Sequence, residues 1–276
     1  MIKLNVTGLN NIVYEDNRVI VKSNQSGKIV LLWQEETINT IDLIIEENVH
    51  LELTELGEKE NSQIRINIGK NSNVKYNIFT RETAFDSSKE ISLFEGAYLL
   101  VAYADFSKGR KKVNAKINLK EINSEVDWHL ASLTQKDDKK IYNVDIIHEV
   151  GLTRANMENY GVCKETSTLE FLGDATIEKG SKKASTKQTA KIVVFDEKCH
   201  AKASPKLCIY ENDVEASHGA SEGQINPDHV YYLMSRGLSE EEAKRLITLG
   251  YLNPIMTYFS DENLKEQILN SIVREI

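Results

Sequence analysis

The sequence contains few of the residues that interrupt or cross-link a chain. Three prolines occur among its 276 residues, and none precedes Pro205. The three cysteines, Cys163, Cys199 and Cys208, are an odd number, so at least one thiol has no partner within the chain. We therefore expect reduced cysteines in a reducing compartment rather than a framework of structural disulfides.

Motifs for nucleotide chemistry and for closed metal sites are also missing. There is no GxxxxGK loop ending in Ser or Thr and no GxGxxG after a strand, which argues against ATP hydrolysis and dinucleotide binding by those devices. The absence of a CxxC pair argues against a closed structural zinc site. No nucleophile-elbow motif is present, so the pattern gives no support to a serine hydrolase.

Charge and hydropathy exclude two further classes of partner. The formal net charge is −8 and no long basic stripe occurs, whereas nucleic acids and anionic membranes both favour a basic surface. Apolar runs such as residues 29–33 are far shorter than the roughly 20 residues of a membrane span. The N-terminus has no apolar segment followed by a small-residue cleavage site, so no secretory signal is predicted. We expect a cytoplasmic protein that binds neither nucleic acid nor membrane.

Period-two alternation of apolar and polar residues dominates the chain as far as Gly223. Such alternation, rich in Ile, Val, Tyr and Thr, predicts strands, and few windows favour a helix of ordinary length. The clearest runs are residues 19–21, 29–32, 41–45, 64–68, 113–119, 142–147 and 191–195. We predict a mainly β core domain over residues 1–224.

Polar turn clusters recur within this region at a nearly constant spacing. They precede Val49, Val74 and Tyr98, which are 25 and 24 residues apart, and clusters at Ala175 and Cys199 are again 24 apart. A loose repeat of this length predicts a β-solenoid, in which each coil adds strands to parallel sheets. A β-sandwich is the alternative on periodicity alone. The scarcity of Asn-Gly and Gly-Gly hairpin signals favours the solenoid.

Helix signals replace strand signals after Gly223. Asn226 followed by Pro227 is typical of an N-cap with proline at the first helical position. Ser239 and Glu242 form a capping box for a second helix. The other expected boundaries are Gly237 and Gly250 as helix ends and Ser260 as the cap of a third helix, and the expected apolar face of the second helix is Ala243, Leu246 and Ile247. We predict a small helical domain over residues 225–276.

The residues that could do chemistry concentrate where the strand pattern gives way to the helix pattern. Thiolate and imidazole groups bind iron, zinc and iron–sulfur clusters. Cys199 lies in a polar turn, whereas Cys163 and Cys208 lie in apolar strand contexts that are typical of buried cysteines. His218 follows about one coil after Cys199. On the residues alone, Cys199 is the stronger candidate ligand and His218 is a weak one, because a lone histidine is more often structural or solvated.

The segment from Glu211 to Tyr251 resembles the C-terminal signature of the SufB/SufD family of iron–sulfur cluster assembly proteins. The matching words are Asn-Asp-Val at 212–214, Ser-His-Gly-Ala at 217–220, Tyr-Tyr-Leu at 231–233, Ser-Arg-Gly at 235–237 and Glu-Ala at 242–243. This resemblance implies a right-handed parallel β-helix with a C-terminal helical domain, in agreement with the repeat and the helical tail. Longer members carry an additional N-terminal helical domain, and we expect this chain to be a short form without it.

The resemblance also implies partners and ligands. Cys199 matches the SufB cysteine thought to take part in nascent cluster formation, and His218 matches a histidine that the family places near its dimer interface. A transient Fe–S cluster at the interface of a homodimer, or of a heterodimer with a related subunit, is therefore expected. A SufC-type ATPase is expected to bind the helical tail and to supply the only ATPase activity. The residues expected to contact it are Tyr231, Tyr232, Arg236, Ala243 and Leu246.

Three functional hypotheses follow. The first is a non-enzymatic scaffold for cluster assembly. The second is a structural SufD-like partner without cluster ligands, because Ser217 and Gly219 resemble SufD whereas Cys199 resembles SufB. The third is a β-helix enzyme acting on polysaccharide, since that fold often hosts such activity. Such an enzyme usually has a secretory signal, which is not predicted here.

Overall fold

The computed structural model describes residues 3–33, 39–57, 59–81 and 83–274 of the chain, and its strands form two sheets. Sheet A contains, in spatial order, β1 (Lys3–Thr7), β4 (Ser26–Leu32), β6 (His50–Leu56), β8 (Asn73–Thr80), β10 (Tyr98–Asp105), β12 (Glu125–Thr134), β14 (Arg154–Cys163), β16 (Ser185–Val194) and β18 (Glu215–Gln224). Sheet B contains β2 (Ile12–Glu15), β3 (Arg18–Val21), β5 (Thr40–Ile45), β7 (Ser62–Ile68), β9 (Ser87–Leu93), β11 (Arg110–Leu119), β13 (Lys139–His148), β15 (Thr168–Ile177) and β17 (His200–Ile209).

The chain alternates between the two sheets, so each strand pairs with the strand two places along. From β3 and β4 onward these pairs are parallel, as in the β8–β10–β12 ladder. At the N-terminal end, β1 pairs with β4 and β2 with β3 in antiparallel fashion. The predicted β-solenoid is confirmed. The sandwich alternative is wrong, because its sheets would be antiparallel throughout.

A repeated turn explains the sequence period. Asn48, Asn71 and Asn123 precede strands of sheet A with φ of 55°, 53° and 58°, a left-handed conformation that asparagine tolerates better than most residues. Each donates its backbone N–H to the turn of the next coil, as from Asn48 to the Lys70 carbonyl at 2.9 Å. The turns therefore stack along the solenoid as the strands do.

The period is not constant, and one expected turn is wrong. The spacing between strand starts in sheet A rises from 24 residues, between Ser26 and His50, to 31 residues, between Arg154 and Ser185. Ala175 consequently lies inside β15 instead of at a turn. The later strands lengthen to ten residues each, so a 24-residue period does not fit them.

The interior of the solenoid is filled by alternate side chains of both sheets. Aromatic rings contact one another from coil to coil: Tyr103 meets Trp128 and Tyr142 edge-on at centroid distances of 6.3 and 6.0 Å, and Tyr142 lies 5.7 Å from Phe171. All four side chains are buried. Such pairs contribute about 0.5–1.5 kcal/mol each beyond the burial of their area.

A cluster of buried charges lies among these apolar side chains. Asp105 contacts two lysines, with Oδ2 2.7 Å from Lys111 Nζ and Oδ1 3.0 Å from Lys140 Nζ, and all three side chains have no exposed surface. Ser107 donates its N–H and its hydroxyl to Asp105 Oδ1. Burial alone would raise the pKa of Asp105, but the two lysine charges and these hydrogen bonds hold it well below its usual range.

Three α-helices follow the solenoid: α1 (Pro227–Ser235), α2 (Glu240–Leu252) and α3 (Glu262–Arg274), with a 3-10 helix (Asn253–Tyr258) between the last two. The predicted Asn226 cap and the Ser239–Glu242 capping box are confirmed. Gly250 does not end α2, which continues to the buried Leu252. Asp261, and not Ser260, caps α3 by accepting the Leu264 N–H.

The helical segment packs on the outer face of sheet A. A second apolar cluster joins the two: sheet A contributes Phe79, Ala102, Ala104, Ala131, Leu133 and Val162, the turn after β10 contributes Phe106, and the helical segment contributes Leu252, Ile255, Phe259, Leu264, Ile268 and Ile272. The small alanines leave room for the helices to approach the sheet. None of the helices in the described ranges is long and apolar enough to cross a membrane. The division into domains at residues 224 and 225 stays a prediction.

The buried charge cluster predicts a large effect of one conservative change. Asp105→Asn removes the buried carboxylate that both Lys111 and Lys140 contact, so we expect a loss of about 3–5 kcal/mol in the free energy of unfolding. Because the folded-state pKa of Asp105 is depressed, its contribution is present above about pH 4 and is lost as the pH falls. The difference between wild type and variant should therefore shrink in acid, as measured by urea unfolding.

The matched control is an exposed ion pair. Glu95→Gln removes the partner of Lys70, whose Nζ lies 2.6 Å from Glu95 Oε2 at the surface. Water screens such a pair, so we expect no measurable change in the unfolding midpoint. An Asp105→Asn variant as stable as the control would show that the charge cluster does not stabilise the fold.

Candidate functional site

The two ends of the solenoid differ, and both candidate ligands lie at the C-terminal end. Strand β18 ends sheet A and β17 ends sheet B. All ten residues of β18 are exposed, and β17 contains no buried residue. In β15, one coil earlier, every second residue is buried. The last coil is therefore covered by its neighbour on one side and lies open on the other.

The open end presents an apolar stripe. Ala201, Ala203, Pro205 and Leu207 are only half-buried. They pair in register with Leu169, Phe171, Gly173 and Ala175, the inward-facing residues of β15. The stripe thus continues the core but lacks a covering layer.

Cys199 immediately precedes β17, at the corner of this last coil. Its N–H donates to the Asp196 carbonyl at 3.1 Å, and its thiol donates to the Glu165 carbonyl at 3.6 Å. The side chain is half-buried and packs against the core. Burial, together with the neighbouring Cys163 side chain, raises the pKa of Cys199 to about 12. The thiol is therefore protonated at neutral pH, and binding a metal ion there would release a proton.

His218 lies on the exposed strand β18, in register with Gln188 of the coil below. Gln188 is buried, and its Oε1 has no hydrogen-bond partner among the described residues. Gln188 Nε2 donates to the Lys206 carbonyl at 3.2 Å. Because His218 pairs with Gln188, this contact places His218 at the level of Lys206, that is, at the same position along the strand direction. Nearby, Glu222 accepts the Ala203 N–H at 2.6 Å and so bridges the two edge strands.

The structure does not bring Cys199 and His218 together within one chain. His218 lies at the level of Lys206, seven residues beyond Cys199. At about 3.3 Å per strand residue, the two are separated by roughly 20 Å. Within the described ranges, no group of three or more His, Cys, Asp or Glu side chains could hold a metal ion. One chain therefore offers single ligands at two places on its open end.

The other two cysteines differ from each other. Cys163, at the end of β14, has no exposed surface, which confirms the prediction of a buried residue. Cys208 is half-buried and faces away from the interior, so its expected burial is wrong. The sequence analysis did not predict that Cys163 and Cys199 are neighbours, because their proximity depends on the length of the coil between them and not on a local motif.

The residues expected to bind a partner lie on the helical segment with different exposures. Tyr231, Tyr232 and Leu246 are 74%, 55% and 49% exposed. Leu246 was expected to share the packed face of α2 with Ala243, but only Ala243 is buried. Arg236 lies over the Tyr232 ring, 5.2 Å from its centroid, and donates to its hydroxyl at 3.2 Å. Tyr231, Tyr232, Arg236 and Leu246 are accessible, and Ala243 is not.

The raised pKa of Cys199 predicts a slowly reacting thiol. At pH 8 we expect iodoacetamide to label native Cys199 at least about 100-fold more slowly than in urea, where its pKa is near 8.5. The rate should keep rising with pH beyond pH 9, because the thiolate fraction is still increasing. Peptide mass spectrometry after timed labelling measures this. A rate that levels off near pH 9 would contradict the shift.

Comparison with known proteins gives a family and several relatives. The profile of the SUF system FeS cluster assembly SufBD core domain matches residues 6–251. The iron–sulfur cluster assembly protein SufD of Bacillus subtilis is 36% identical over 135 residues, which are 49% of this chain and 31% of that protein. SufD of Escherichia coli is 26% identical over 125 residues, 45% of this chain and 30% of that protein.

A longer alignment covers most of the solenoid. An iron–sulfur cluster assembly SufBD family protein of Pyrococcus horikoshii is 26% identical over 222 residues, 79% of this chain and 47% of that protein. The chain thus spans less than half the length of each of these relatives. The match to the family profile nevertheless extends over almost the whole solenoid and into the helical segment. The chain belongs to the SufBD core-domain family of SUF-type iron–sulfur cluster assembly proteins.

Proposed function

We propose that this chain is a scaffold subunit for nascent Fe–S clusters, built by joining its open solenoid end to that of a second SufBD core domain. The observation that carries the proposal is the uncovered last coil, which holds Cys199 and His218. The second domain is a copy of this chain or a related subunit. The three free thiols are consistent with work in a reducing cytoplasm.

An uncovered coil favours association because it exposes both an apolar layer and strand edges. Ala203, Pro205 and Leu207 would gain burial if a partner's last coil lay against them. The backbone edges of β17 and β18 are templates for pairing with another strand. In a two-fold dimer each open end covers the other, so the apolar layers are buried and the strand edges are paired at the same time.

A two-fold arrangement would also explain why the candidate ligands are far apart in one chain. Along the strand direction, Cys199 lies before Ala203 and His218 lies after it, because His218 is level with Lys206. A two-fold axis near the level of Ala203 would place Cys199 of one protomer at the level of His218 of its partner. Ligands separated by roughly 20 Å within a chain would then meet in pairs across the interface.

Two thiolates and two imidazoles supply fewer cysteines than the four that hold a typical stable cluster. The cluster is cargo here, so incomplete cysteine ligation suits a scaffold that must pass it on. Cys199 is protonated in the free chain, so each bond that it forms to iron must displace a proton. This also favours a cluster that is held weakly enough to be passed on. If the chain were instead a structural SufD-like partner, Cys199 and His218 would bind no cluster.

We further propose that the exposed surface of α1 and α2 binds a SufC-type ATPase. Tyr231, Tyr232 and Leu246 form an apolar surface, and Arg236 lies beside it, a combination enriched at protein interfaces. Ala243 was expected to contact the ATPase, but it is buried and would act only by supporting α2 from below. The chain itself would hydrolyse no ATP.

Movement of the ATPase could reach the solenoid through the packed helices. Tyr258, in the 3-10 helix, stacks on His129 of β12 at a centroid distance of 3.7 Å, and His129 Nδ1 lies 3.3 Å from Glu158 Oε2. Helix α2 also packs on β14, which is separated from the terminal strand β18 by β16. We propose that this contact transmits force from the ATPase to the last coils.

The cluster-binding proposal predicts a loss on changing either ligand. After anaerobic reconstitution with iron and sulfide, Cys199→Ser and His218→Ala should bind less than half of the wild-type iron, because each change removes a ligand from both protomers. Visible absorption and Mössbauer spectroscopy measure the cluster. Cys208→Ser is the control and should bind as wild type does. Equal binding in all four proteins would favour the structural companion role.

The docking proposal predicts a local effect on ATPase affinity. Changing Tyr231 and Tyr232 together to alanine should weaken the complex with the SufC-type ATPase by about 2 kcal/mol, or roughly 30-fold in Kd, measured by calorimetry. Tyr14→Ala is the matched control, because Tyr14 is 57% exposed on β2 at the opposite end of the solenoid. Similar affinities for both variants would place the ATPase elsewhere.

A further inference from the structure

Cys163 and Cys199 both lie against the same short turn, residues 164–167. The Cys163 thiol contacts Ser167, 3.4 Å from its carbonyl oxygen and 3.3 Å from Oγ. The Cys199 thiol contacts the Glu165 carbonyl at 3.6 Å. Cys163 Sγ also lies 4.0 Å from the carbonyl of His200, the residue that follows Cys199.

The strand register explains why the two thiols are close although 36 residues separate them in sequence. Thr168 pairs with His200 in the β15–β17 ladder, so Cys199 stacks on Ser167 one position earlier. Successive coils are about 4.8 Å apart, and the Ser167 side chain touches Cys163. Cys199 packs against the core cluster that includes Cys163.

The two cysteines are unequally accessible. Cys199 is half-buried at the open end of the solenoid, whereas Cys163 has no exposed surface. A sulfur donor can therefore reach Cys199 but not Cys163. Cys208 lies near the far end of β17, in register with Thr176, and faces outward, so it does not share this site.

We propose that Cys163 is the resolving thiol for sulfur carried on Cys199, so that the pair converts sulfane sulfur into sulfide. The inference rests on the proposed function, because cluster assembly is what consumes the sulfide. The donor is a persulfide or a polysulfide. Its terminal sulfur passes to Cys199, which leaves a donor thiol in the first case and a polysulfide one sulfur shorter in the second. Half-exposure of Cys199 and full burial of Cys163 give the two residues these separate roles.

The resolving step balances without a further reagent. The Cys163 sulfur attacks Sγ of the Cys199 persulfide, a Cys163–Cys199 disulfide forms, and the persulfide S–S bond breaks. The terminal sulfur leaves with both bonding electrons and takes the Cys163 proton, so hydrogen sulfide is released. The sulfane sulfur is reduced by two electrons as the two thiols are oxidised. Two equivalents of an external thiol then reduce the disulfide and restore the pair.

The test is to treat the reduced protein with inorganic polysulfide anaerobically, remove the excess, and measure sulfide release. Wild type should release about one sulfide per chain and acquire a Cys163–Cys199 disulfide, seen by peptide mass spectrometry. Cys163→Ser should keep a persulfide on Cys199 and release sulfide at least about tenfold more slowly, since no resolving thiol is adjacent. Cys208→Ser should behave as wild type does.

Two results would overturn the proposal. One is equal sulfide release from wild type and Cys163→Ser, and the other is a wild-type disulfide that joins a different pair of cysteines. Because Cys163 is buried, Cys163→Ala is tested in parallel with a circular dichroism check of folding. The disulfide map of the wild type needs no variant, so it decides the matter even if both variants unfold.

Reconstitution with free sulfide separates this proposal from the scaffold role. Supplying sulfide bypasses the resolving step, so Cys163→Ser should bind iron as wild type does while Cys199→Ser does not. Failure of sulfide release alone would overturn the role of Cys163 and leave the scaffold intact. Failure of cluster binding in wild type would overturn the scaffold, whatever the disulfide map shows.

Discussion

Each coil of a parallel solenoid is stabilised by the coil on either side of it. The strands of one coil satisfy the backbone groups of the next, and the inward side chains of one coil form the floor for those above. Any end of the stack therefore leaves hydrogen-bonding groups and apolar surface uncovered. In this chain β1 and β2 run antiparallel to the strands that they cover at the first end. Nothing comparable covers β17 and β18 within the described ranges.

The candidate ligands of the chain lie at this uncovered end. Cys199 lies at its corner, His218 on its exposed strand, and Cys163 one coil below. The same geometry that leaves the last coil unsatisfied thus keeps one thiol accessible, keeps another buried beside it, and separates the candidate ligands along the edge. Closure by a second domain would complete the site and the fold together. The helical segment, which packs on the outer face of sheet A, is the part of the chain that we propose to bias that closure.

Local signals in the sequence predicted much of this fold. The Asn226 cap and the Ser239–Glu242 box depend on contacts within one helical turn, and both were read correctly. The repeat at Val49, Val74 and Tyr98 was visible because asparagine or glycine marks the left-handed turn before each of these strands, at Asn48, Asn71 and Gly96. The turn at Ala175 was misplaced because coil length changes along the chain, and no local motif encodes that length.

The site was only partly predictable for the same reason. Cys199 and His218 were singled out by residue type and supported by a family resemblance, but their separation follows from the pairing of β16 with β18 and from the contact of Gln188 with β17. The contact of Cys163 with the Cys199 turn and the burial of Asp105 between two lysines are long-range, and each depends on register. Leu246 was wrongly assigned to the packed face of α2. Periodicity identifies a row of apolar residues along a helix, but it does not show whether that row faces the sheet or the solvent.

The central claim is that two open ends meet with Cys199 of one protomer beside His218 of the other. The most direct measurement introduces His218→Cys together with Cys163→Ser and Cys208→Ser, oxidises the protein, and analyses it without reductant. The account predicts a covalent dimer whose linking peptides contain Cys199 and the introduced cysteine. A protein that is dimeric by sedimentation but forms no such cross-link would contradict it.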